Sequence, residues 1–122
     1  MEKVKATLAH LAACTGIAGC ALVEHSSGMV WWYESDRPDM EQVAEAAVEF
    51  FRSPDRLKLE LNQLGTLQSA AYSFEQFVIS LHPCKSTHGL VLVCLAHKHT
   101  IKWALVSPAI QAVLKVLQSA KQ

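Results

Sequence analysis

Two short stretches of this 122-residue chain bring together side chains that could hold a ligand. The first is His97-Lys98-His99. On a strand, residues two apart face the same side, so His97 and His99 would present two imidazoles together, with His88 and Cys84 close enough in sequence to extend a metal-ligand set. No acidic or thiol ligand stands at a fixed metal spacing from them. The favoured reading is therefore a solvated strand end leading into a helix, with no metal ligand assigned. The second stretch is Trp31-Trp32-Tyr33. Adjacent strand residues face opposite sides, so Trp31 and Tyr33 should not share a face with Trp32, and one aromatic face is expected to be exposed or covered by a helix. That face suits a partner or ligand patch or a helix-packing edge. The packing edge is favoured, because aromatic side chains bury so much area. Cys84, in Pro83-Cys84-Lys85, reads as a surface thiol beside a lysine, without the histidine and carboxylate that would activate it.

Catalytic signatures are otherwise missing from the sequence. It has no phosphate-binding loop, no G-x-G-x-x-G, no G-x-S-x-G and no H-E-x-x-H. No nucleophile, base and orienting group can be assembled, so no catalytic residue and no cofactor is assigned. Eleven basic and eleven acidic residues give zero formal charge without a long run of either sign. Nothing supplies the positive field that nucleic acid or an anionic membrane requires. Zero net charge also weakens the repulsion between copies of the chain, which eases self-association.

The elements that would position these residues follow from periodicity. At 51% hydrophobic and 18% charged residues the chain reads as one compact domain over residues 1–122, with slightly more apolar material than average. Val4, Leu8, Leu11 and Ala12 recur at helical spacing. Gly16 to Glu34 reads as a hairpin around Ser26-Ser27-Gly28. In its first strand Ile17, Gly19, Ala21 and Val23 fall on one side and Ala18, Cys20 and Leu22 on the other, so both faces are apolar and the strand should be central. Asp36 is expected to cap a second helix with Pro38 and Asp39 in its first turn and a stripe of Met40, Val43, Ala44, Ala47, Val48 and Phe51. Ala46 and Phe50 widen that stripe beyond what one sheet face needs, so part of the helix is expected to meet another subunit. Ser53-Pro54-Asp55 stops this helix and starts another that ends at Gly65, although Leu57, Leu59 and Leu61 also fit a strand.

Three strands and a helix complete the chain. Leu67 to Phe74 mixes polar and apolar residues and reads as an edge. Gln76 to His82 turns Phe77, Ile79 and Leu81 one way. Leu90 to Ala96 is apolar throughout, as a strand buried on both faces should be. The last helix starts near Thr100 with a stripe of Ile101, Ala104, Leu105, Ala112, Val113, Val116 and Leu117, kinked or restarted at Pro108. Two central strands, one edge strand and a preference for consecutive neighbours give the order 2-1-5-4-3. The expected fold is α/β (α+β): one mainly antiparallel five-stranded sheet with helices packed on it.

Cys14, Cys20, Cys84 and Cys94 form no C-x-x-C pair and are read as reduced thiols of a cytoplasmic protein. Lys3, Lys5 and the alanine-rich run to Cys14 or Cys20 resemble a lipoprotein leader. Thr7, His10 and Thr15 interrupt that run, and cleavage before Cys20 would remove half of the first strand, so a first helix is favoured. No segment has the ~18 unbroken apolar residues of a membrane span.

The order helix, hairpin, helix, three strands, helix resembles the roadblock family of dynein light chains and its bacterial relatives. The residues that carry the likeness are Gly16-Ile17, Ala21-Leu22-Val23, Gly28, Leu64-Gly65, Phe77-Val78-Ile79 and Leu90 to Ala96. The segment Ser53 to Asn62 and His97-Lys98-His99 depart from the family pattern. The resemblance implies a non-enzymatic module that dimerises by joining third strands and packing second helices, and that regulates a Ras-like GTPase or acts as a scaffold. It implies a dimer surface of Leu67, Ser69 and Ala71 on the edge strand and Val43, Ala46, Ala47 and Phe50 on the second helix. The alternative is a small-ligand sensor using one sheet face and the Trp31 to Tyr33 aromatics.

Overall fold

The computed structural model describes residues 1–51, 60–84 and 89–119. Its elements are α1 (Glu2–Ala12), β1 (Ile17–Glu24), β2 (Val30–Ser35), α2 (Met40–Phe51), β3 (Ala70–Ser73), β4 (Phe77–Pro83), β5 (Leu90–His97) and α3 (Trp103–Ser119), with a 3-10 turn at Asn62–Leu64. The five strands form one sheet in the order β2-β1-β5-β4-β3, with every neighbouring pair antiparallel. This is the order expected from burial. β1 and β5 are apolar on both faces and need cover above and below, whereas β3 is short and half exposed and tolerates the edge.

Alternation along β1 and β5 sends side chains into two cores. Cys20, Leu22, Leu90, Leu92, Cys94 and Ala96 pack with Val4, Leu8 and Leu11 of α1 and Val106, Ala109, Ile110, Val113 and Leu117 of α3. Ala21, Val23, Val91, Val93 and Leu95 face the other way, onto Met40, Ala44, Ala47 and Val48 of α2. The sheet thus has α1 and α3 on one side and α2 on the other.

Several local details differ from the periodic reading. Between Ile17 and Gly19 the register with β5 slips by one residue. Ile17 consequently joins Cys20 and Leu22 in the α1/α3 core, while Ala18 packs on the α2 side. Asp36 does not cap α2. Ser35 does the local work instead, its hydroxyl donating to Ala18 O at 2.8 Å and accepting from Arg37 N at 3.0 Å. Gly19 is needed directly beneath it, because a Cβ there would lie 2.6 Å from Ser35 Oγ and 2.8 Å from Met40 Sδ.

β3 is shorter than Leu67 to Phe74, and Leu67 and Ser69 precede it. β4 begins at Phe77 and includes Pro83 as its last residue. The last helix begins at Trp103 rather than near Thr100, and its buried stripe includes Val106, Ala109 and Ile110, leaving Ala104, Leu105 and Ala112 exposed. Pro108 lies within this helix on its solvent side, so water can satisfy the Ala104 carbonyl that its missing N–H leaves unpaired. The expected helix after Ser53 falls mostly on residues outside those described. After those residues the 3-10 turn closes at Gly65, with φ +100°.

Candidate functional site: the β3 edge and the exposed face of α2

α2 crosses one face of the sheet from the β2 side to the β3 side. Met40, Ala44, Ala47 and Val48 point inward at helical spacing. Glu41, Gln42, Glu45, Ala46, Glu49 and Phe50 are exposed, so the outer surface carries an acidic row beside a row that ends in an aromatic ring. Phe50 is 62% exposed. Its ring lies 5.0 Å from that of Tyr72 on β3 at an interplanar angle of 42°, and Tyr72 Oη donates to Phe50 O at 3.4 Å. The end of α2 is thereby fastened to the edge of the sheet with an aromatic side chain still facing solvent. Leu61, Leu64 and Leu67, before β3, and Phe74, after it, are exposed as well. Apolar side chains crowd this edge more than a solvated margin would require.

The surface that the family resemblance implies is divided in the structure. Ala46 and Phe50 are exposed on α2, and Val43 is half-buried against the α2-side core. Ala47 is only 2% exposed and faces its own core, so a partner cannot reach its side chain. Leu67, Ser69 and Ala71 are exposed. Ala71 pairs with Ser80, which pairs with Cys94 of the α1/α3 core, whereas Tyr72 pairs with Ile79 of the α2-side core. Ala71 and the α2 residues therefore occupy opposite faces of the sheet, and only the strand edge joins them. Tyr72, which shares a face with α2, was not picked out from sequence. The parity of β3 against Phe77, Ile79 and Leu81 was the signal for it.

Other predicted chemistry does not converge. His97 packs its ring 5.1 Å from Phe77, and Lys98 Nζ donates to Phe74 O at 3.1 Å. Among the described residues no three His, Cys, Asp or Glu side chains come together as a metal site, and His88 and Lys85 lie outside those residues. Cys84 is buried in the α1/α3-side core rather than at the surface. Cys20 and Cys94 face each other across β1 and β5. Burial pushes both thiols up, that of Cys94 to about 12, so neither is a ready nucleophile. His82 is held below its ordinary value by burial, with its Nε2 3.0 Å from Ser80 Oγ.

Trp31 and Trp32 depart from simple alternation. The register between β1 and β2 pairs Leu22 with Trp32 but Val23 with Val30, which leaves Trp31 as the extra residue of a bulge. Both tryptophans consequently pack against the α1/α3-side core, while Val30 packs on the other side.

No family model and no curated protein sequence matches the chain. Solved structures do match. The roadblock/LC7 domain from Streptomyces avermitilis superposes with a TM-score of 0.75 at 13% identity, covering 93% of this chain and 92% of that one. The fold is that of roadblock/LC7 domains. The gliding protein MglB from Thermus thermophilus has a TM-score of 0.72 at 16% identity, covering 98% of this chain and 91% of that one. An MglB with tetrameric arrangement gives 0.74 at 14% identity, over 97% of this chain and 87% of that one. At such identities the roadblock likeness is a likeness of backbone architecture. The element order and the 2-1-5-4-3 sheet agree with the family resemblance seen in the sequence.

Proposed function

We propose that this chain is a non-enzymatic, dimeric regulatory or scaffold module of the cytoplasm that acts through protein contacts. The observation that carries the reading is the solvent-facing ring of Phe50, fixed on Tyr72 beside the β3 edge. A sheet edge and an exposed aromatic on one margin suit a second copy of the same chain, because edge-to-edge pairing satisfies backbone groups while the ring is covered. The interface would use the β3 edge, Ala46 and Phe50, with Val43, Leu67, Ser69 and Ala71 at its border. The oligomeric arrangement of one MglB of the same fold supports this reading. Cys14, Cys20 and Cys94 are thiols without a disulfide, which fits a reducing compartment. Among the described residues no helix is long and apolar enough to cross a membrane.

The protein partner we assign to the dimer is a small Ras-like GTPase, by analogy with the roadblock family. Light scattering of the purified protein tests the dimer, and a strict monomer at micromolar concentration overturns it. Affinity capture followed by nucleotide-hydrolysis assays tests the partner. Capture of a GTPase whose hydrolysis rate changes supports the assignment, and the lack of any GTPase among captured proteins removes it.

A further inference from the structure

The opposite side of the sheet carries a concave surface of different chemistry. β2 ends the sheet there, and its residues Val30, Trp31, Trp32 and Tyr33 line an open cavity of about 490 Å3 together with Glu41 from the first turn of α2. That volume falls within the range of ligand sites. Of the lining residues, the side chains of Tyr33 and Glu41 lie on the α2 face of the sheet, since Tyr33 pairs with Ala21 of the α2-side core. A ring beside a carboxylate is the chemistry of cation recognition: the ring face attracts a positive charge, and the carboxylate supplies the countercharge. On the opposite face of the same strand a ring already holds a cation within the molecule, since Lys5 Nζ lies 4.0 Å from the centroid of Trp32.

The surrounding charge has the same sense. Residues 34–51 contain six acidic residues and one basic residue in a chain whose net charge is zero. The one base, Arg37, is held by Asp39 through Nε and Nη2, each at 3.0 Å. α2 itself has no lysine or arginine, and Glu41 and Glu45 stand exposed one turn apart. We infer that the β2 edge is a docking surface for a lysine- or arginine-rich extended segment of a partner protein, whose cationic side chains seat against Tyr33, Glu41 and Glu45 on the α2 side of that edge. A sheet edge favours an extended chain over a free cation, because the strand aligns the segment and alternate side chains then fall on one side. The surface lies across the sheet from the β3 edge and stands or falls independently of dimerisation.

The test is fluorescence anisotropy of the full chain with a labelled peptide of alternating lysine and glycine, and with a glutamate counterpart. The lysine peptide should bind, weaken as salt rises, and lose roughly tenfold in affinity against Tyr33→Ala/Glu41→Gln, the combined loss of one exposed cation–π contact and one exposed ion pair. Both positions are exposed, so thermal melts of this variant should match the parent chain. Phe50→Ser should bind the lysine peptide as the parent does, which separates this surface from the dimer edge. Equal binding of the glutamate peptide, full affinity in the double variant, or competition by tetramethylammonium at the affinity of the peptide would each overturn the proposal.

Discussion

Replacing Phe50 by serine is the sharpest probe of the dimer edge. A phenylalanine side chain offers roughly 150–250 Å2. Phe50 is 62% exposed in the protomer, so a partner that covers it removes on the order of 120 Å2 from water, or about 3 kcal/mol at ~25 cal/mol/Å2. A symmetric dimer contains the ring twice, so losing both should weaken association by about three to four orders of magnitude, ordering costs taking part of the total. The protomer itself should melt within about 1.5 kcal/mol of the parent, because the ring contributes little to the core beyond its contact with Tyr72. Sedimentation velocity over a concentration series reads both states. The parent chain should sediment as a dimer and Phe50→Ser as a monomer. Leu105→Ser is the control: it removes a side chain that is 73% exposed on α3, on the other side of the sheet, and should leave the mass unchanged. A Phe50→Ser dimer of parental affinity, or dissociation by Leu105→Ser, would refute the reasoning.

Gly16 has φ +93°, and a Cβ there would approach Ile101 Cα to 2.8 Å, so Gly16→Ala should cost about 1–3 kcal/mol, read as a lowered urea midpoint. His82 makes stability fall on acidification. Its folded pKa lies below the ordinary 6.5, so the unfolded chain binds the proton first, and stability is lost as pH drops through that value and levels off once the folded form also protonates. Chemical denaturation across that window should show the slope in the parent chain and a smaller one in His82→Asn. Cys20 and Cys94 are fully buried with raised thiol pKa values, so a maleimide should label the half-buried Cys14 in the native state and reach the other two only on unfolding. Mass spectrometry of labelled peptides checks the order, and native labelling of Cys94 would contradict the packing described.

Particular residues show where sequence reasoning stopped. Alternation put Phe77, Ile79 and Leu81 on one face of β4, and they stay there because that strand holds its register with β5 throughout. The same rule failed for Ile17 and Trp31, where a slip of one residue in β1 and a bulge in β2 turn side chains onto the other face. Amphipathic spacing put Ala47 in the stripe of α2 that faces the sheet and Phe50 on its widened margin, as they lie in the structure, whereas the family resemblance alone had placed Ala47 on the dimer surface. Tyr72 had no local mark of importance, since its role comes from a contact with a residue 22 positions away.

By itself, the sequence determined the number and order of the strands, their antiparallel arrangement and the central places of β1 and β5. Strands apolar on both faces must be covered twice, and that requirement is written in local composition. The tertiary structure alone decided which side chains share a face near the bulges, how α2 is rotated, and that an aromatic pair closes the β3 edge while an acidic, aromatic concavity opens beside β2. These features depend on register and helix rotation, in which a shift of one residue exchanges core for surface and which packing between distant segments fixes.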